Sequence, residues 1–216
     1  MTDVHCHVAR PGNHRQFLAG RDFIGIHPWE TLTKTGSVPE AAVAEIAGRL
    51  EAEEGLGVGE IGLDRLKSRD IPPVMREIFA AQLELAAKFR RPVILHGAKC
   101  WGQVTAACKP FAGRIPAFLF HGFSRSDGLL GDIAAVNGFV SVGPAVLNDH
   151  AVNYRRLVVK IPAERLLVET DCTAENEAEC PSIADVARKL AELRGMTFGE
   201  LEALTDSNAE RFRGAN

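Results

Sequence analysis

The feature that most constrains this chain is a repeated unit: an apolar run of strand length, closed by a histidine or an acid, then a helical pattern. Val93-Ile94-Leu95-His96-Gly97 and Ala117-Phe118-Leu119-Phe120-His121-Gly122 are the clearest copies. The runs Gly57 to Asp64 and Arg165 to Asp171 end in acid, and Asp22 to His27 is stopped by Pro28. Phe139-Val140-Ser141-Val142 is a further strand. Between these runs, apolar residues recur at helical spacing: Met75, Phe79, Leu83 and Ala86; Trp101, Val104, Thr105 and Cys108; Leu130, Ile133 and Val136; and a stretch near Val152 to Val159. Ser37-Val38-Pro39-Glu40 spells a capping box ahead of Val43, Ile46, Ala47 and Leu50. Apolar strands alternating with helices predict a parallel sheet covered on both faces. Closed into a (β/α) barrel, such a sheet brings its C-terminal strand ends to one mouth.

The N-terminal Asp3-Val4-His5-Cys6-His7 fits this frame. Alternate strand residues share a face, so His5 and His7 can reach one point while Cys6 turns away, with Asp3 as a flanking orienter. An isolated His-x-His is as readily one strand cap and one surface residue. Here, however, His27, Glu60, His96, His121 and Asp171 fall at the ends of successive apolar runs. Imidazole and carboxylate donors together suit two divalent ions, with one carboxylate bridging. Glu60 stands out among them, because a carboxylate inside an apolar run is costly unless something cationic meets it.

Two other motifs point elsewhere. Gly57-Val58-Gly59-Glu60-Ile61-Gly62 matches G-x-G-x-x-G, but a dinucleotide site needs a helix opening at the glycines. The apolar run instead continues to Leu63, and Pro72-Pro73 precedes the next helix. Near the C-terminus, Ser182 and Thr197 cap two helices separated by Gly195, the outline of a helix-turn-helix. Glu200, Glu202 and Asp206 on the second helix would repel phosphates, so packing against the sheet is the expectation.

A length of 216 residues suits a single barrel domain over residues 1–216. A net charge of -3 gives no global attraction to nucleic acid, so local charges or metals must hold any polyanion. Five unpatterned cysteines argue for a reducing compartment. With no signal-like N-terminus and no apolar run of spanning length, a cytoplasmic enzyme without a membrane partner is expected. A monomer or weak homo-oligomer is the corresponding expectation for assembly.

Asp3-x-His5-x-His7, Gly25-Ile26-His27-Pro28, Gly59 to Asp64, Val93 to His96, His121-x-Phe123-Ser124 and Glu169-Thr170-Asp171 together resemble the successive motifs of the TatD-like metal-dependent hydrolases. The resemblance spans Asp3 to Phe212 and takes in Gln82 to Ala86 and Asn208 to Phe212. It implies a TIM-type barrel of the amidohydrolase-like group, with two divalent ions (Zn, Mg or Mn). Carried over, His5, His7 and Asp171 would hold one ion, His96 and His121 the other, and Glu60 would bridge. Asp171 and Glu60 would be the catalytic acids, Asp171 as general base toward a water activated by the ions. The substrate would be a phosphoester, with nucleic acid as one form of it.

The departures from that family are specific. About seventeen residues separate His7 from Gly25, too few for a full strand and helix when a crossover alone takes at least about ten to twelve. A reduced barrel of about seven main strands is therefore expected. Trp29 stands for a second family histidine, Ala98 and Lys99 for its arginine, and Cys172-Thr173-Ala174 for its Ser-Pro-Tyr. His27 and Lys99 are left as substrate-binding candidates, and a small phosphate ester is favoured over duplex DNA. The alternatives are a polymerase-and-histidinol-phosphatase-type phosphoesterase, marked by three metals, and a catalytically silent barrel that serves as a binding protein.

Overall fold

A computed structural model of the chain describes residues 1–12, 14–31, 40–67, 69–124 and 127–214. Eight strands occur among them: β1 Thr2–Cys6, β2 Arg15–Leu18, β3 Phe23–Ile24, β4 Gly57–Asp64, β5 Val93–Ala98, β6 Phe118–Phe120, β7 Gly138–Val142 and β8 Leu166–Val168. β1 pairs with β2, and β3 to β8 form a six-stranded sheet in chain order, with every pairing parallel. A bridge between Ala19 and Phe23 links β2 to β3. Beyond the end of β8, Asp171 N–H donates to the His5 carbonyl (3.0 Å) and Thr170 N–H to Asp3 Oδ1 (3.0 Å), which closes the ring.

The helices are α1 Pro28–Thr31, α2 Glu40–Ala52, α3 Pro73–Phe89, α4 Trp101–Cys108, α5 Leu130–Ala135, α6 Val152–Lys160, α7 Ile183–Arg194 and α8 Phe198–Arg213. The expected helical stripes of α3 and α4 are buried at each position named above. The reduction of the barrel takes a definite form. No helix lies among the described residues between β1 and β3, while a shortened β2 survives there with four residues and β3 has two. The proposed capping box before α2 falls largely on residues 37–39, outside those described. Among the described residues, no helix is long and apolar enough to cross a membrane.

Two apolar layers position the site. The larger fills the space between strands and helices and takes Val93, Leu95, Phe118, Phe120, Leu166 and Val168. The smaller fills the barrel interior and takes Phe17, Phe23, Ile94, Leu119, Phe139 and Leu167. Phe212 of α8 plugs this interior layer, its ring stacked at 5.8 Å on Phe23 and edge-on at 5.9 Å to Phe139. Removing such a buried ring costs about 3–5 kcal/mol, so α8 is a structural lid on the barrel floor. Its Asn208 side chain donates to the Ala163 and Leu166 carbonyls at 2.7 and 2.9 Å. The two C-terminal helices thus pack on the barrel, as their acidic character implied.

Inward positions alternate along each strand. Two residues beyond Ile94, Leu119, Phe139 and Leu167 come His96, His121, Ser141 and Glu169. The polar mouth is therefore the next interior layer above an apolar floor.

The three glycines of the G-x-G-x-x-G run all lie within β4, with no helix opening at them. Gly62 is required there: at φ +151° a Cβ would meet the His96 carbonyl oxygen at 2.0 Å. Gly62→Ala should therefore lower stability by at least about 2 kcal/mol, since backbone strain and overpacking each cost about 1–3 kcal/mol. Gly48→Ala, where a Cβ in α2 meets nothing within 4 Å, is the matched control. Urea unfolding of both variants tests this, and equal midpoints would show that β4 and β5 adjust freely.

Candidate metal centre

Glu60 stands at the centre of the mouth. It is buried, and its two carboxylate oxygens face different groups. Oε1 lies 2.7 Å from His96 Nδ1, 2.5 Å from His121 Nε2 and 3.6 Å from His27 Nε2. Oε2 lies 3.3 Å from His5 Nε2 and 3.8 Å from His7 Nε2. Asp171 Oδ1 sits 3.5 Å from both His5 Nε2 and His7 Nε2. Three groups of donor atoms are compact enough to hold an ion: His5, Glu60 and His121; His5, His7 and Asp171; and His27, Glu60 and His96.

Burial by itself would raise the Glu60 carboxyl, but the His121 imidazole and the other histidines around it hold it well below the usual range. The reciprocal effect appears on His121. Burial opposes its charged form, yet Glu60 carries it well above the ordinary imidazole value. His96 is likewise raised, with Asp64 and Glu60 outweighing burial. His7 is raised chiefly by its hydrogen bond to Asp171. Burial would raise Asp171, but His7 and then His121 bring it below its ordinary value.

Two acids support the histidine rings from behind. Asp64, at the end of β4, has Oδ2 at 2.8 Å from His96 Nε2, which leaves Nδ1 for the mouth. Against the cost of burial, His96 first among its partners holds Asp64 down to about 2. Glu169 accepts from Ser141 Oγ (2.6 Å) and Gly122 N–H (2.7 Å), and its Oε1 lies 3.7 Å from His121 Nδ1. A carboxylate behind a ligating histidine fixes ring orientation and raises basicity. Sequence reasoning quoted Asp64 and Glu169 without giving either a role. The signal was present: each is an acid in or ending an apolar run, under the same burial cost that singled out Glu60.

Asp3 does not orient the histidine rings. Its carboxylate takes Thr170 Oγ1 at 2.6 Å and the Thr170 N–H, and so fastens β1 to the segment after β8. Burial raises its carboxyl to about 6. Lys99 is exposed in the turn after β5, at φ 57°, and has no hydrogen bond or ion pair among the described residues. The structure gathers His27 into the Glu60 cluster and leaves the Lys99 amine on the rim. A cavity of about 520 Å³ opens beside the cluster toward α2, lined by His7, His27, Glu60, Ile26, Ile46 and Arg49.

The donor set suits divalent ions on its own chemistry: imidazole nitrogens and carboxylate oxygens, with no thiol among them. An orphaned atom supports the fit. His5 is completely buried, and neither of its ring nitrogens makes a hydrogen bond among the described residues. A buried imidazole left in that state is costly unless another partner takes its lone pair.

The model of the TatD-related DNase family matches residues 18–214. The chain is 30% identical over 203 residues to the 3'-5' ssDNA/RNA exonuclease TatD of Klebsiella pneumoniae strain 342, covering 88% of this chain and 75% of that protein. It is 29% identical over 195 residues to the uncharacterized metal-dependent hydrolase YabD of Bacillus subtilis strain 168, covering 87% and 75%. In fold it resembles YJJV, a TatD homolog from Escherichia coli K12, with a TM-score of 0.74 at 24% identity over 91% of this chain and 76% of that one. A TatD family hydrolase from Entamoeba histolytica gives 0.72 at 18% identity, over 93% and 75%.

Proposed function

The chain belongs to the TatD-related DNase family, a group of metal-dependent hydrolases, and from that premise we propose a two-ion centre that cleaves phosphodiesters of single-stranded nucleic acid or small esters. The observation that carries this reading is the division of Glu60. One oxygen faces His96, His121 and His27, and the other faces His5 and His7. His5, His7 and Asp171 would hold one ion; His96 and His121, joined by His27, would hold the other; Glu60 would bridge. Divalent ions bound there would lower the pKa of a coordinated water and take up charge developing on a phosphoryl oxygen.

The chain's own groups supply the rest. Asp171 is ionised at neutral pH, because His7, His121 and His5 outweigh its burial. Its Oδ1 faces His5 and His7, and among the described residues Oδ2 makes no hydrogen bond. Oδ2 is therefore the atom that would take a proton from the attacking water as the P–O bond breaks, and return it to the leaving alkoxide. Asp64 holds the ring of His96 in place through the exchange, and Glu169 keeps a carboxylate 3.7 Å behind His121 Nδ1. Five free thiols, all buried, agree with a reducing compartment, and we place the protein in the cytoplasm on that ground.

Metal removal tests the reading. Two ions held at about a hundred times their Kd would each stabilise the fold by about 2.7 kcal/mol. Dialysis against a chelator should then lower Tm by about 10 °C or more and abolish cleavage of a single-stranded oligonucleotide. Zinc, manganese or magnesium should restore both. Metal analysis should return two ions per chain. Three would favour the polymerase-and-histidinol-phosphatase-type chemistry, and a metal-free protein that still cleaves would end the proposal.

A further inference from the structure

Trp29 is the residue that departs from the family at the first turn after β3, and its surroundings give it work to do. It is 39% exposed, although it is one of only two tryptophans in the chain. It is also held firmly. Its backbone N–H donates to His27 Nδ1 at 3.1 Å, and its indole is near enough to Asp64, the acid behind His96, to help hold that carboxyl down. Its ring meets His27 edge-on at 5.0 Å and His96 at 6.2 Å between centroids. The indole is thus a fixed, partly open aromatic surface on the rim, one ring away from the Glu60 cluster.

Lys67 completes the arrangement. Its Nζ lies 3.6 Å from the Trp29 ring centroid, its side chain is exposed, and it has no carboxylate partner among the described residues. Arg49, which lines the cavity, is by contrast paired with Glu53, and Arg10 bonds the Pro181 carbonyl. A lysine head on a flexible four-carbon stem can leave a ring for a phosphate, which is a stronger partner for a point charge. The ring face it uncovers can then take a base.

We propose that Trp29 and Lys67 grip one nucleotide of a single-stranded nucleic acid, the indole stacking its base and the ammonium meeting a phosphate beside the scissile bond. The proposal rests on the phosphodiester reading above and deepens it. It commits the rim to a substrate that carries a base, beyond a bare phosphate ester. Stacking of bases on aromatic rings tolerates any sequence, and lysine contacts to phosphate are salt-sensitive. The pair therefore predicts a strand-binding element without base specificity.

The test compares an oligothymidylate with an abasic oligonucleotide of the same length, with the same metal loading throughout. Trp29→Ala should raise KM for the oligothymidylate by about tenfold, the usual order for one lost stack, and raise KM for the abasic substrate far less, with both measured at the same metal content. Trp29→Phe keeps a ring and should recover most of that affinity. Lys67→Gln should weaken binding of both substrates and reduce the slope of log affinity against log salt by about one. Tryptophan fluorescence quenched by oligothymidylate, and not quenched in Trp29→Phe, gives a binding readout independent of turnover.

An unchanged KM in Trp29→Ala would overturn the proposal. So would equal losses on both substrates, which would show that Trp29 acts through Asp64 and His96. If the parent cleaves the abasic strand and shows no preference for bases, the hydrolase reading survives and the platform falls. If neither strand is cleaved and none quenches the fluorescence, both fall.

Discussion

Replacing Glu60 with glutamine is expected to leave a folded barrel that retains at most one divalent ion per chain and loses more than about 10²-fold in turnover. Even changes to groups behind a ligand cost about 10–100-fold in metal affinity or activity, and Glu60 is contacted by five histidines. Glutamine has the same shape and offers one carbonyl oxygen, but its other terminal atom is an NH₂ donor with no lone pair for a second ion. It also removes the negative charge that balances His121 and His96. Because the side-chain volume is preserved, no cavity opens, and folding should survive. Metal content and turnover measured on one preparation decide the matter. Two tightly held ions in the glutamine variant would show that Glu60 does not bridge.

The mouth of the barrel was legible where strand parity alone sets direction. His96 and His121 end apolar runs whose inward positions are Ile94 and Leu119, so a period of two suffices to aim them. Glu60 was legible from the cost of burying a carboxylate in an apolar strand. His5 and His7 follow the same alternation, and Cys6 does turn away, toward Leu18, Cys172 and Cys180.

What could not be read depends on distances across strands. Asp64 and Glu169 lie on the same runs as the residues already chosen. Which ring nitrogen each one faces is set by strand stagger, and spacing along the chain does not reveal it. Lys99, three residues from His96, sits in a turn at φ 57° and is exposed; spacing along the chain does not reveal which way that turn carries it. β2 was missed because only Phe17 and Leu18 of its four residues are apolar, too short a signal beside the turn formers that precede it. Asp3 was read as an orienter of histidines because it precedes them in the strand. Its partner is Thr170, which is distant in sequence and invisible to a local reading.

Asp171→Asn separates proton transfer from metal holding, and turnover is expected to fall by about 10²–10⁴-fold, the usual worth of a positioned general base. The residue adopts a left-handed backbone at φ 49°, its N–H donates to the His5 carbonyl, and its side chain is 46% exposed. Asparagine is among the residues that tolerate this conformation best, so the variant should keep the backbone and the closure of β1 against β8. It also keeps a carbonyl oxygen that can face His5 and His7 as Oδ1 does. What it loses is the capacity to take a proton near neutral pH. Metal content should therefore change far less than turnover, and the unfolding midpoint should stay close to that of the parent. His96→Ala supplies the contrast, because it should cost occupancy at one ion and leave Asp171 in place. The two variants need metal analysis and kinetics on the same samples. An Asp171→Asn protein that is fully loaded and nearly as active as the parent would assign the proton to solvent or to another acid. With Glu60 surrounded by histidines and Asp64 committed to His96, no other carboxylate of the cluster is as open to water as Asp171.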